Sequence, residues 1–326
     1  MHCYRLRFRA PFHVDGRGND FYDESESFIH SDTLSAAILS AWAMLEPADA
    51  EQRAAAPPFV LSSAFPYFQN IYFLPRPLGT TAPRLPEEQL KQGKILKKIQ
   101  WLPVNLWRQA ASGNDWLLDL NAVRIVQDVL AFPKSMALEP DFKLWAHEER
   151  PRLSVDRATV SPIEGQLFHF GRVYFHPDGG LYFLVRFTEL SQQTAFEAAL
   201  SWLGDSGIGA DRNSGNGFFE WHKATDFPQL LQAHAGRAIA LSLVNPDTAD
   251  CASGWLDDAC YALVSRGGWI GGTGLRRQRL RLFAEGSQFR RSLNGRVVDV
   301  TPEGLSIPYR VYRDGRGFFV GTGGRT

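Results

Sequence analysis

The sequence predicts an α+β fold of tandem ferredoxin-like (RRM-like) domains with a glycine-rich loop and a thumb-like insertion. Three observations carry that prediction. The chain opens on a strand-like alternation, and two amphipathic helical patterns are each followed by a strand pattern. With residues 76 to 160 set aside, residues 1 to 223 spell β-α-β-β-α-β. That order is the split βαβ unit found in RNA-recognition modules.

Tyr4, Leu6, Phe8, Ala10 and Phe12 alternate with Arg5, Arg7 and Arg9, the period of a half-buried strand with a basic outer face. Ser31 is placed to cap a helix whose Leu34, Ile38, Ala41, Trp42 and Leu45 share one side, with Asp32 in its first turn. Prolines at 57, 58, 66, 75 and 77 bracket a short strand near Tyr67 to Leu74. Residues 76 to about 160 break the pattern with a lysine-studded helical stretch (Glu87 to Ile99) and few clean strands, so they read as an insertion. Leu167 to Phe175 and Gly180 to Phe187 are aromatic strands joined by a His-Pro-Asp-Gly turn. A helix from Ser191 then turns Phe196, Ala199, Leu200 and Leu203 inward, ahead of a last strand beginning at Phe218. Residues 235 to 326 read as a second, degenerate module, with strands at Ala238 to Val244, Tyr261 to Ser265, Arg279 to Ala284, Val297 to Val300 and Phe318 to Val320.

Composition narrows the function. Hydrophobic residues make up 44% and aromatics 13% of 326 residues, enough for two folded domains with a large core. Thirty-five basic residues balance 35 acidic ones, which argues against a free-standing nucleic-acid binder but permits separate basic and acidic faces. Acids gather at Asp20 to Glu26 and Asp247 to Asp258, surfaces better suited to protein partners than to RNA. Three cysteines make no disulfide framework, and no apolar run approaches the length of a membrane span. The expectation is a reduced, cytoplasmic protein that needs neither metal nor cofactor and meets no membrane.

The most informative stretch is Gly207 to Gly217, where Gly207, Gly209, Gly215 and Gly217 surround Arg212, Asn213 and Ser214. Glycines let main-chain N–H groups approach an anion, and a guanidinium fork matches phosphate. The loop follows a helix and precedes a strand, unlike strand-first mononucleotide loops, so a nucleic-acid backbone is the expected anion. A glycine-dense turn without ligand would have the same composition. The N-terminus of the first helix, with Ser31 and Thr33 hydroxyls, is a second phosphate locus. Asp32 is placed either to accept from a base amino group or 2′-hydroxyl, or simply to cap. A second glycine-rich turn, Gly267 to Gly274, leads into Arg276 and Arg277, which either cover the other side of an RNA strand or form a basic strand edge.

These residues resemble the RAMP superfamily of CRISPR effector complexes, and within it the crRNA 5′-tag-binding family that supplies the fourth subunit of the type III-A Csm complex. His30 to Leu34, Ser62 to Tyr67, Tyr72 to Pro75, Ser154 to Arg157, the glycine loop, Arg310 to Arg313 and Gly317 to Val320 carry the likeness in the family's order. The family loop usually has glycine where Ala210 stands and serine where Asn213 stands. The resemblance implies a non-catalytic scaffold that seats the 5′ tag of crRNA. It also implies contacts with a large polymerase-like subunit and a backbone RAMP subunit, with a thumb, here residues 76 to 160, near target RNA. Residue chemistry and the likeness together give the expected RNA contacts as His30, Ser31, Asp32, Thr33, Arg157, Gly207, Gly209, Arg212, Asn213, Ser214, Gly215, Gly217, Arg276 and Arg277. Two alternatives stay open: a RAMP-type endoribonuclease that processes precursor crRNA with His30 as proton carrier, and a protein-only adaptor.

Overall fold

The computed structural model describes residues 1–15, 22–80, 83–112, 116–156, 158–159, 161–228, 237–271, 273–304 and 307–321. It is a mixed α+β structure with more strand than helix. β1 (His2–Phe8) leads to α1 (Ser31–Leu45), a short α2 (Ala50–Ala55), then β2 (Phe59–Leu61), β3 (Phe65–Phe68) and β4 (Ile71–Pro75). α1 buries Leu34, Ile38, Ala41 and Trp42 as its periodicity predicts, but Leu45, at its end, is 41% exposed.

Residues 76 to 160 hold more strand than expected. The lysine-studded stretch forms a 3-10 turn (Glu87–Gln92) and only a short α3 (Gly93–Leu96), because Pro86 and Gly93 interrupt any longer helix. β5 (Trp101–Pro103), α4 (Val104–Ala111), β6 (Val123–Val126) and β7 (Leu130–Pro133) follow, and the strands extend the main sheet beyond β4. β8 (Trp145–Asp156) and β9 (Ser161–Phe175) then form a long antiparallel ribbon of their own, with a register shift between Leu153 and Val155. The predicted turn at 176–179 exists, but β9 pairs with β8 while β10 (Gly179–Phe187) lies in the main sheet, so the two are not a hairpin.

α5 (Gln193–Ser206) packs Phe196, Ala199, Leu200 and Leu203 into the core and against α1, and β11 (Phe219–Ala224) closes the unit. The main sheet runs β11-β1-β10-β3-β4-β5-β7-β6, with β2 also on β10. Neighbours from β11 to β5 are antiparallel, and each of the two long helices links strands that are not adjacent. Alternation along β1 sends Tyr4 toward Phe196 of α5 and Arg5 to the opposite face. Arg5 is consumed on that second face: it donates to the Tyr72 hydroxyl at 2.8 Å and to Asp226 at 2.7 Å, while Phe227 packs edge-on against Tyr72. Residues 226–227 thus occupy sheet surface that RNA-recognition modules leave to bases.

The remaining described residues contain no helix. β12 (Ala238–Ala240), β13 (Leu263–Arg266), β14 (Trp269–Ile270), β15 (Leu275–Arg276), β16 (Leu280–Phe283), β17 (Gln288–Phe289), β18 (Gly295–Asp299), β19 (Tyr312–Arg316) and β20 (Phe319–Gly321) form one three-stranded sheet and three ribbons. Ile239, Leu241, Phe318 and Val320 join the same core as β1 and α1, so this part is fused to the first by apolar burial. No described helix is long and apolar enough to cross a membrane, and no described group of three His, Cys, Asp or Glu side chains could hold a metal.

Candidate nucleic-acid interface

The glycine loop, the first turn of α1 and the second glycine turn converge on one cleft of about 870 Å³. Thr33, Gly207, Gly209, Arg212 and Arg277 line it, five of the residues expected from sequence. The others fall elsewhere. Asn213, Ser214, Gly215 and Gly217 belong to the loop but stand off the cleft lining. Arg276 is exposed with its guanidinium over the Trp269 ring at 4.6 Å. Arg157 lies outside the described residues.

The loop works differently from the expectation. Glycine there serves backbone packing more than anion access. Gly209 and Gly217 have φ of +91° and +81°, and a Cβ on either would collide with the carbonyl oxygen of His13 or Ile208. Most loop amides are spent inside the protein: Ile208 N–H donates to Gly217, Ala210 to His13 and Gly217 to Pro11, at 2.7 to 3.0 Å. What the loop presents is the Arg212 side chain, exposed and without a hydrogen bond or ion pair among the described residues. Behind it Asp211 accepts from Arg152 of β8 at 2.6 Å and from the Asn216 amide at 2.8 Å, which fixes the loop to the β8–β9 ribbon. Burial pushes the Asp211 carboxyl up, but Arg152 and the Ser214 and Asn216 bonds outweigh it and hold it below the ordinary value.

The first turn of α1 is likewise corrected. Ser31 does not cap the helix: its hydroxyl accepts from Leu243 N–H at 2.9 Å, and it is buried. Asp32 cannot reach a base or ribose, because it is 2% exposed and surrounded by cations. Arg266 Nε donates to it at 3.0 Å, and Arg313 Nη1 also donates to it. Thr33 Oγ1 accepts from Arg266 Nη2 at 2.7 Å. Two guanidiniums share one carboxylate, so positive charge is left over, and both arginines line the cleft. Burial pushes Arg313 down to about 10, still a cation at neutral pH. Arg277, fixed on the Trp269 carbonyl at 2.9 Å, adds a further guanidinium.

His30 is turned away from the cleft. Its Nδ1 lies 2.8 Å from Glu285 Oε1 in a buried pair, which removes it from the phosphate locus. Arg9 pairs with Asp205 at 3.2 Å, and neither it nor Arg5 or Arg7 lines the cleft. The residues missed by sequence reasoning are Arg266, Arg313 and the ring-bearing walls Trp202 and Trp269, the two indoles being 45% and 43% exposed. Arg266 directly precedes Gly267 and Gly268, the same basic-plus-glycine signal that singled out Arg212. Cations beside exposed indoles form the pairing that holds single-stranded nucleic acid, phosphates on one and bases on the other.

Known proteins resemble the chain along its length. Residues 233–322 match the family model for the CRISPR Csm4 C-terminal domain. A protein of Streptococcus thermophilus, CRISPR system Cms protein Csm4, is 27% identical over 262 residues, covering 78% of this chain and 77% of the relative. A Thermococcus onnurineus protein of the same name is 26% identical over 260 residues, covering 77% and 76%. Residues 233–322 belong to the Csm4 C-terminal domain family, and the chain is similar to Csm4 proteins over most of its length. The fold agrees: the Csm4-containing crystal structure of a Csm3-Csm4 subcomplex of the type III-A interference complex superposes with a TM-score of 0.67 at 18% identity, over 98% of this chain and 99% of that one. A Csm1-Csm4 cassette with AMPPNP gives 0.57 at 18% identity, over 98% and 96%.

Proposed function

We propose that the chain is a non-catalytic RNA-binding subunit of a type III CRISPR effector complex, seating the 5′ repeat-derived tag of crRNA in the 870 Å³ cleft. The observation that carries this reading is the convergence of Arg212, Arg266, Arg277 and Arg313 with two exposed tryptophans on one groove. A single strand needs that combination of backbone-tracking cations and stacking rings. The relatives' solved complexes with Csm3 and Csm1 support a bridging place for this chain, between a backbone RAMP subunit and a large polymerase-like subunit. Residues 1–223 are then a ferredoxin-like unit, supported by the β11-β1-β10-β3 order, with a thumb-like insertion near 76–160. Residues 235–326 are its degenerate partner. The β8–β9 ribbon, which continues to Phe175, is the natural thumb and the place for target RNA.

A nuclease reading centred on His30 is disfavoured by its buried pairing with Glu285. The test is ultraviolet crosslinking of crRNA in the assembled complex, followed by mapping of the peptides. Crosslinks at 207–217 or 266–277 support the tag seat. Crosslinks confined to other subunits would mean a protein-only adaptor, and discrete cleavage of repeat RNA by the purified chain would mean a nuclease.

A further inference from the structure

A second cavity, of about 850 Å³, lies across the first turn of α1 from the cleft. β13 partitions the two, with Val264 and Ser265 lining this cavity and Arg266 the cleft. One wall is aromatic: Phe28 stands edge-on to Trp101 and to His30, with centroids 5.3 Å and 4.6 Å apart. Glu285, its side chain 6% exposed, also lines the cavity. The bonds from His30 Nδ1 and Ser63 Oγ both fall on Oε1, and Oε2 takes none from another described residue. Burial pushes this carboxyl up, but His30 and Ser63 outweigh it, so it lies below the ordinary value and is an anion at neutral pH. Arg76, Lys97 and Arg279 also line the cavity, against one further carboxylate, Glu26. Lys97 and Arg279 are exposed and make no ion pair among the described residues.

We infer that this cavity binds a nucleotide. Its base lies against Phe28 and Trp101, an amino group on the base donates to Glu285 Oε2, and its phosphate meets Arg279 and Lys97. Each part of the ligand answers one feature of the site. An apolar aromatic wall takes a planar ring, and an ionised carboxylate with an open oxygen selects an N–H donor. Exposed cations at the same cavity select an anionic end. The occupant is either a base of a bound RNA strand or a free nucleotide, since both present the same chemistry.

Calorimetric titration of the full chain with AMP, GMP, CMP and purine riboside 5′-monophosphate tests this. The last carries no N–H donor on its base and is expected to bind at least about tenfold more weakly than AMP. Arg279→Ala is expected to lower AMP affinity about fivefold and leave adenosine unchanged. A short single-stranded RNA that displaces AMP makes the occupant a strand base, and simultaneous binding makes it a free nucleotide. Equal affinity for AMP and the purine riboside nucleotide, or no saturation by any of the four, overturns the inference. Failure of the cleft reading shows separately, as RNA binding indifferent to Arg212→Ala while AMP still binds.

Discussion

Arg313 of β19 donates to Asp32 of α1 across 281 positions of sequence, and Arg266 of β13 reaches the same carboxylate at 3.0 Å. One buried acid therefore holds two of the cleft's cations and ties the last strands to the first helix. Removing it leaves two guanidiniums buried without a counter-charge. Asp32→Ala is expected to cost about 3–5 kcal/mol of stability, measured as a lowered urea midpoint at unchanged slope. A midpoint equal to that of the parent chain would show that the cluster contributes no stability.

At the glycine loop, Gly209→Ala is expected to be more damaging than Gly215→Ala. Both positions have positive φ, but a Cβ at Gly209 meets a backbone carbonyl, while the nearest atom to one at Gly215 is the Phe218 ring at 4.0 Å. The conformational penalty alone is about 1 kcal/mol at either site, and only Gly209 adds a steric clash to it. Thermal unfolding of the two variants decides it, and equal losses would contradict the packing role.

Acid sensitivity follows from Glu285. Its folded-state pKa is depressed below the ordinary 4.5, so its contribution is fully present above that value. It is lost as the pH falls from 4.5 toward the lower folded value. Glu285→Gln should therefore flatten the acid limb of stability against pH, read by denaturant titration at successive pH values. Parallel acid limbs for the parent and the variant would remove Glu285 from the explanation.

RNA affinity should depend on Arg212 through charge. Arg212→Ala is expected to weaken binding of single-stranded tag RNA and to reduce the slope of log affinity against log salt by about 0.7, one phosphate contact on a single strand. Fluorescence anisotropy at several salt concentrations measures both quantities. An unchanged slope places Arg212 off the RNA path.

Arg276 and Arg277 separate by position. Arg277 lines the cleft, whereas Arg276 does not and stacks on the Trp269 ring. The double change to Ala should weaken RNA binding, with most of the loss reproduced by Arg277→Ala alone. If Arg276→Ala carries the loss instead, the strand runs outside the cleft, over the Trp269 ring.

Much of this architecture was legible in the residues. Alternation in residues 4–8 located β1, and the 3.6-residue period located α1 and α5, because in each case one face is buried continuously. Gly207 to Gly217 pointed to a segment that lines a cleft, but its glycines make room for neighbouring backbone. Composition shows that side chains are missing; it does not show whether another backbone fills the space. Asp32 was misread on the same ground: a carboxylate in a helix's first turn carries no sign of two arginines arriving from more than two hundred residues away. The strands of 76–160 were hidden because β5, β6 and β7 are three or four residues each, too short to establish a period.

The Arg152–Asp211 ion pair has a mechanical consequence. It clamps the projecting β8–β9 arm to the turn that displays Arg212, and Arg172 of the same arm donates to Asn216 at 3.4 Å. Arm and turn are thereby geared: a swing of the arm at its base must either drag the guanidinium along or break the clamp.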